Sequence, residues 1–145
     1  MFDITAAAIA TIISGATSTS VTLLIAATNN KKSLDDQLDA ILKIAVQYPY
    51  LESRNFTEQW TSKHDENDER MLRYDLYCNL LFNYLSRISK KYNYSELKIE
   101  DELAMKSWVR LHRKNWLDPR EAYENVDAYN QEFINLMDQY TKGVA

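Results

Sequence analysis

Two regimes of hydrophobic patterning divide the chain. From Ile4 to Thr28 there are 25 consecutive residues without a charge, whereas beyond Lys32 apolar residues recur at spacings of three and four among charged ones. The first regime predicts a transmembrane helix, because at ~1.5 Å per residue a segment of that length exceeds the ~30 Å hydrocarbon core of a bilayer. Eight Ile, Leu or Val, seven Ala, one Gly and nine Ser or Thr make up the stretch. Hydroxyls are tolerated there because Ser and Thr can bond back to a carbonyl one turn earlier. A buried soluble helix and a cleaved signal peptide are the competing readings. The latter would carry a basic n-region, and Met1-Phe2-Asp3 has none. Lys31 and Lys32 follow the stretch directly, so the bias of basic residues toward the inner face places the C-terminal body in the cytoplasm.

Within this segment small residues recur every fourth position, along Ala6, Ala10, Ser14, Ser18, Thr22 and Ala26, while Ile9, Ile13, Val21 and Ile25 form a bulkier row. Rows of small side chains let two helix backbones approach closely in lipid, where packing rather than the hydrophobic effect joins helices. Self-association through the span is the sharper reading; chance in an Ala/Ser/Thr-rich stretch is the plainer one.

The second regime reads as amphipathic helices. Ser33 with Asp36 three residues later resembles a capping box, and Leu34, Leu38, Ile41, Leu42 and Ala45 form the stripe that follows. Tyr48-Pro49 ends it, since proline disfavours helical geometry in the residue before it. A connector with a short helix capped by Thr57 and anchored by Phe56 and Trp60 comes next, then the charged run His64 to Arg70. Tyr74, Cys78, Leu81, Leu85, Ile88 and Tyr92 alternate spacings of four and three, while Leu76, Leu80, Phe82 and Tyr84 fall on other faces. That pattern predicts a central helix buried over most of its girth. A further helix is expected from 96 to 116, with Leu103, Trp108, His112 and Trp116 near one face. Asp118-Pro119-Arg120-Glu121 has the chemistry of a helix start. The last helix, from about 125 to 140, is expected to bury Val126, Tyr129, Phe133, Leu136, Met137 and Tyr140. The fold class is thus all-α: an N-terminal transmembrane helix followed by a compact bundle of about four helices. The expected domains are 1–32, span and basic flank, and 33–145, a cytoplasmic helical domain.

Composition narrows the chemistry. Two glycines, Gly15 and Gly143, and two prolines in 145 residues disfavour turn-rich β folds and remove every glycine loop able to cradle a phosphate. A single cysteine excludes an internal disulfide and fits a reducing compartment, and with two histidines it does not make a closed zinc site. The run from His64 to Glu69 has carboxylates but no glycine, so it does not make a calcium loop. His112 shares a helical face with Trp108 and Trp116, where a bundle histidine is usually satisfied by packing and one hydrogen bond, and local spacing brings it no acid or nucleophile. Cys78 lies on the buried stripe as an inert hydrophobe.

Charge is segregated. Lys106, Arg110, Arg113 and Lys114 form a run without an acid, and residues 118 to 138 carry six acids against Arg120. The basic run could meet a charged partner or anionic lipid beneath the span, or the two helices could face each other within the fold. Nucleic acid is disfavoured at a net charge of −4.

The uncharged N-terminal segment, the Tyr48-Pro49-Tyr50-Leu51 connector, the run Arg73-Tyr74-Asp75-Leu76-Tyr77-Cys78-Asn79-Leu80-Leu81-Phe82-Asn83 and the spacing of Trp108, His112, Trp116 and Pro119 together resemble small bacterial membrane-anchored all-helical proteins. That resemblance implies a bacterial inner-membrane setting and brings no activity, cofactor or catalytic residue. Some proteins of this layout look like membrane effectors or accessory subunits of anti-phage systems, an analogy of architecture. The expected function is a non-enzymatic, membrane-tethered interaction module or subunit of a larger complex. Its expected partners are the bilayer and either a second copy or another protein, with no nucleic acid, cofactor or small-molecule substrate implied. The alternatives are a membrane-disrupting effector that oligomerises through its span, and an enzyme with an unrecognised helical site.

Overall fold

The structure, a computed structural model, describes residues 28–118 and 124–142. The span and its small-residue row, Ala6 to Ala26, lie outside the described residues, as does most of the Asp118-Pro119-Arg120-Glu121 signal. Among the described residues every regular element is helical, and no helix is long and apolar enough to cross a membrane.

Contacts group the chain into two units, Met1–Asp36 and Gln37–Ala145. In the first, residues 28–36 are helical, and the same helix, α1, runs on to residue 47 in the second. Ser33 therefore sits inside a helix rather than capping one. Asn29, Asn30, Lys31 and Lys32 include no glycine or proline to stop a helix already under way.

The second unit is built from short elements around one long helix. Pro49–Glu52 form a single 3-10 turn, with proline at its first position. Then come α2 (Arg54–Thr57), α3 (Glu69–Lys91), α4 (Glu96–Glu102), α5 (Met105–Leu111), α6 (Arg113–Leu117), α7 (Glu124–Ala128) and α8 (Gln131–Thr141). Thr57 closes α2 rather than opening it, its hydroxyl donating back to the Arg54 carbonyl at 3.3 Å. The carboxylate of Asp68 accepts the Arg70 amide and starts α3, with Lys90 and Lys91 in the last turn to complement the helix dipole. That helix stops where Asn93 and Tyr94 turn to positive φ and the Tyr94 amide bonds to the Ser89 carbonyl at 2.8 Å. Such a left-handed ending satisfies a carbonyl left over by the last turn.

Helix α3 carries the core, though on one side only. Tyr74, Tyr77, Cys78, Leu81, Leu85 and Ile88 are buried, joined by Phe82 and Tyr84. Leu72, Leu76 and Leu80 are 55, 58 and 44% exposed, so the expectation of burial around most of the girth fails. Positions 72, 76 and 80 lie one turn apart on the side away from Tyr74 and Leu81, the side of the helix that is left open. Two further helices expected as single rods are broken. The stretch 96–116 bends at Leu103-Ala104 and again at His112. At the first bend the Glu100 carboxylate accepts the Lys106 amide at 2.8 Å and caps the new helix, so Ile99 and Met105 can both be buried. The stretch 125–140 breaks at Tyr129-Asn130, which turns α7 aside and leaves Val126 64% exposed. α8 packs on α3 and α5 through Phe133, Met137 and Tyr140. Trp116 meets Phe82 and Phe133 edge-on, with ring centres 5.3 and 5.8 Å away.

Asn130 is the N-cap of α8: its side-chain oxygen accepts the Phe133 amide at 3.0 Å. Asn130→Ala is expected to lower stability by about 1 kcal/mol in a denaturant melt; an unchanged midpoint would mean that water replaces the cap without loss.

Candidate functional site

The bend at His112 delivers its ring to the interior, where it is wholly buried. Three elements converge on it. The 3-10 turn held by Pro49 brings Glu52, α3 brings Tyr74 and Tyr77 one turn apart, and α5 brings Trp108. One carboxylate oxygen, Glu52 Oε1, accepts from three donors: His112 Nε2 at 3.1 Å, Trp108 Nε1 at 2.9 Å and the Tyr77 hydroxyl in a short contact. On the other side of the ring, Nδ1 lies 3.0 Å from the Tyr74 hydroxyl and 4.0 Å from Cys78 Sγ.

The protonation pattern follows from these partners. Desolvation pushes the Glu52 carboxyl up, but hydrogen bonds from His112, Trp108 and Tyr77, together with the charge of His112, outweigh it and hold the group below its ordinary value. Glu52 is thus a carboxylate that only accepts, and Nε2 carries a proton. On the other side of the ring the Tyr74 hydroxyl, whose phenol burial pushes far up and keeps protonated, faces Nδ1. The order Cys78, His112, Glu52 has the connectivity of a cysteine–histidine–carboxylate triad, but the geometry does not suit nucleophilic attack. Burial drives the thiol well above its ordinary value, Cys78 has no exposed surface, and the Tyr74 hydroxyl lies closer to Nδ1 than the sulfur does.

Glu52 and Trp108 also border an apolar groove of about 470 Å³. Leu38, Leu42 and Ala45 of α1 form one wall, and Leu103, Ala104, Ser107 and Leu111 form the other. The stripe expected to be packed along α1 is in part the wall of this opening: Ile41 is buried, whereas Leu42 is half-exposed. Glu52 is the only charged residue in the lining among the described residues, and its side chain keeps about a third of its surface, 32%, accessible.

The basic run is largely committed within the unit. Lys106 pairs with Glu96 at 3.3 Å and lies over the Tyr140 ring, Arg110 Nε donates to the Tyr140 carbonyl at 3.1 Å, and Arg113 makes a two-pronged pair with Glu58 at 2.5 and 3.1 Å. Lys114 is half-buried. His64 packs edge-on against Trp60, with ring centres 4.6 Å apart. Among the described residues no group of three or more His, Cys, Asp or Glu side chains is placed to hold a metal ion.

Local spacing did not reveal the Glu52–His112 pair, because the two residues are 60 positions apart and Glu52 lies in the connector. One signal was available: Tyr74 and Tyr77 put two hydroxyls on the core face of α3, and buried hydroxyls need partners. The class that the fold defines is an all-helical bundle with a carboxylate–histidine–tyrosine network centred on a buried histidine. Comparison with protein-family models, curated proteins and solved structures yields no match, so function is argued from this geometry.

Proposed function

We propose that the protein is a membrane-tethered helical interaction module that works by binding, as an oligomer or as a subunit of a larger bacterial complex. Residues 4–28 would hold it in the inner membrane, with the helical body in the cytoplasm. The observation that carries the binding role is the leucine row of α3. Leu72, Leu76 and Leu80 are all about half-exposed, one turn apart on the longest described helix. Contiguous apolar surface of this kind is uncommon on a monomer and marks contact sites. His112, Tyr74 and Cys78, by contrast, are fully buried against one another, which suits a scaffold better than a reaction centre. For the span, length without charge and the following lysine pair are the support.

Photo-crosslinking in native membranes tests the row. A benzophenone side chain at 72, 76 or 80 should give a discrete adduct, and one at the exposed Lys98 should not. Replacing all three leucines with glutamine should remove complex formation while the helical melt is retained. Equal adducts from both faces, or an unaffected complex in the triple variant, would sink the role assigned to the row. Carbonate washing tests the tether separately, since a span is retained by buried apolar area and a peripheral contact is not; release into the soluble fraction would remove the membrane from the proposal.

A further inference from the structure

We propose that the groove between α1 and α5 is a binding site for a small amphiphilic primary amine, whose ammonium is held by the free oxygen of Glu52 and whose alkyl chain lies along the leucine walls. The site is independent of the leucine row on α3. At about 470 Å³ the groove falls within the range of small-ligand sites, which are mostly apolar with a few polar groups that fix orientation. Its polar chemistry is one-sided. Glu52 Oε1 is saturated by His112, Trp108 and Tyr77, whereas Oε2 accepts no hydrogen bond among the described residues. Those three donors hold the carboxylate in place, so it presents a fixed negative charge in an otherwise largely apolar lining.

Charge complementarity selects the occupant. A carboxylate flanked by leucine gains most from a cation that donates hydrogen bonds, because a charge-assisted bond is about twice as strong as a neutral one. Among the described residues the lining holds no basic side chain that could fill this role. A fatty acid of the same length would set two carboxylates against each other. Trp108, bonded through Nε1 to Glu52 Oε1, lines the groove beside it. Ser107, exposed in the lining, offers a second acceptor. The leucines and Ala45 account for the aliphatic part, since buried methylenes contribute in proportion to their area.

The 145-residue chain in phosphatidylcholine nanodiscs is titrated by calorimetry with octylammonium, octanol, octanoate and acetyl-lysine amide, with empty discs subtracted. Octylammonium should bind about tenfold or more tightly than octanol, the difference that a charged hydrogen bond makes, and octanoate should not bind. Acetyl-lysine amide, with its short stem, should bind more weakly than octylammonium. Ala104→Trp, which fills the groove from an exposed position outside the Glu52 hydrogen bonds, should abolish octylammonium binding, and Glu52→Gln should reduce it to the level of octanol. Octanoate binding as tightly as octylammonium, or undiminished binding by the Ala104→Trp variant, would overturn the proposal. Tighter binding of acetyl-lysine amide would also overturn it, by making the occupant a peptide lysine rather than a free amine.

Discussion

Glu52→Gln is expected to lower stability by about 2 to 4 kcal/mol, although it changes a single atom of a side chain in a connecting turn. The carboxylate gathers three donors on one oxygen, from His112, Trp108 and Tyr77. Glutamine has the same shape, but its neutral amide is a weaker acceptor, and its NH2 group, in one of the two flips, faces other donors. Each buried donor left without a partner costs about 1 to 3 kcal/mol, and the partial exposure of Glu52 keeps the total toward the lower part of that sum. Thermal and denaturant melts read the loss. A difference below about half a kcal/mol would show that water satisfies these donors as well as the carboxylate does.

The same residue sets a pH dependence with a definite sign. Its carboxyl is held below the ordinary value of 4.5, so the folded state binds that proton less readily than the unfolded chain. Its contribution is therefore complete above pH 4.5 and is lost as pH falls through the lowered folded value. The stability gap between the parent and Glu52→Gln should narrow as pH falls from about 4.5 to the lowered folded value. A gap that widened on acidification would mean that the protonated form is the one favoured in the fold.

Leu81→Ala is expected to cost about 2 to 5 kcal/mol, and Leu80→Ala, one position away on α3, within about half a kcal/mol of nothing. Leu81 is wholly buried, and its deletion leaves a cavity that the surrounding helices only partly fill; Leu80 is 44% exposed. Denaturant midpoints of the two variants compare them directly, with the same residue type lost from the same helix. Equal losses would mean that the leucine row on α3 is covered in the folded protein.

This contrast marks where the sequence was legible. The spacing of Tyr74, Cys78, Leu81, Leu85 and Ile88 identifies the central helix and its buried face, because a 3.6-residue period needs no knowledge of the neighbours. Leu72, Leu76 and Leu80 are as apolar as their buried counterparts, and nothing in the pattern says that fewer helices pack on that side. Cys78 reads from its position as an inert core residue, and its complete burial agrees. His112 reads as a packed bundle histidine satisfied by a hydrogen bond; its ring is buried as expected, but it is engaged at both nitrogens and tied to a carboxylate that no spacing connects to it.

Local chemistry by itself determined the helical class, the stop at Tyr48-Pro49, the start of α3 in the charged run before Met71, and the Tyr74 face of the core. Each of these depends on interactions within one or two turns, through proline geometry, a capping carboxylate or apolar periodicity. Only the tertiary structure decided the breaks at Leu103-Ala104, His112 and Asn130. Each break is set by which side chains must reach the core: Glu100 turns back to cap α5, His112 leaves the helix axis to meet Tyr74 and Glu52, and Asn130 restarts α8 so that Phe133 is buried. A helix propensity is a sum over neighbours a few residues apart and carries no term for a carboxylate 60 positions away. The network and the groove beside it are therefore properties of the packed chain.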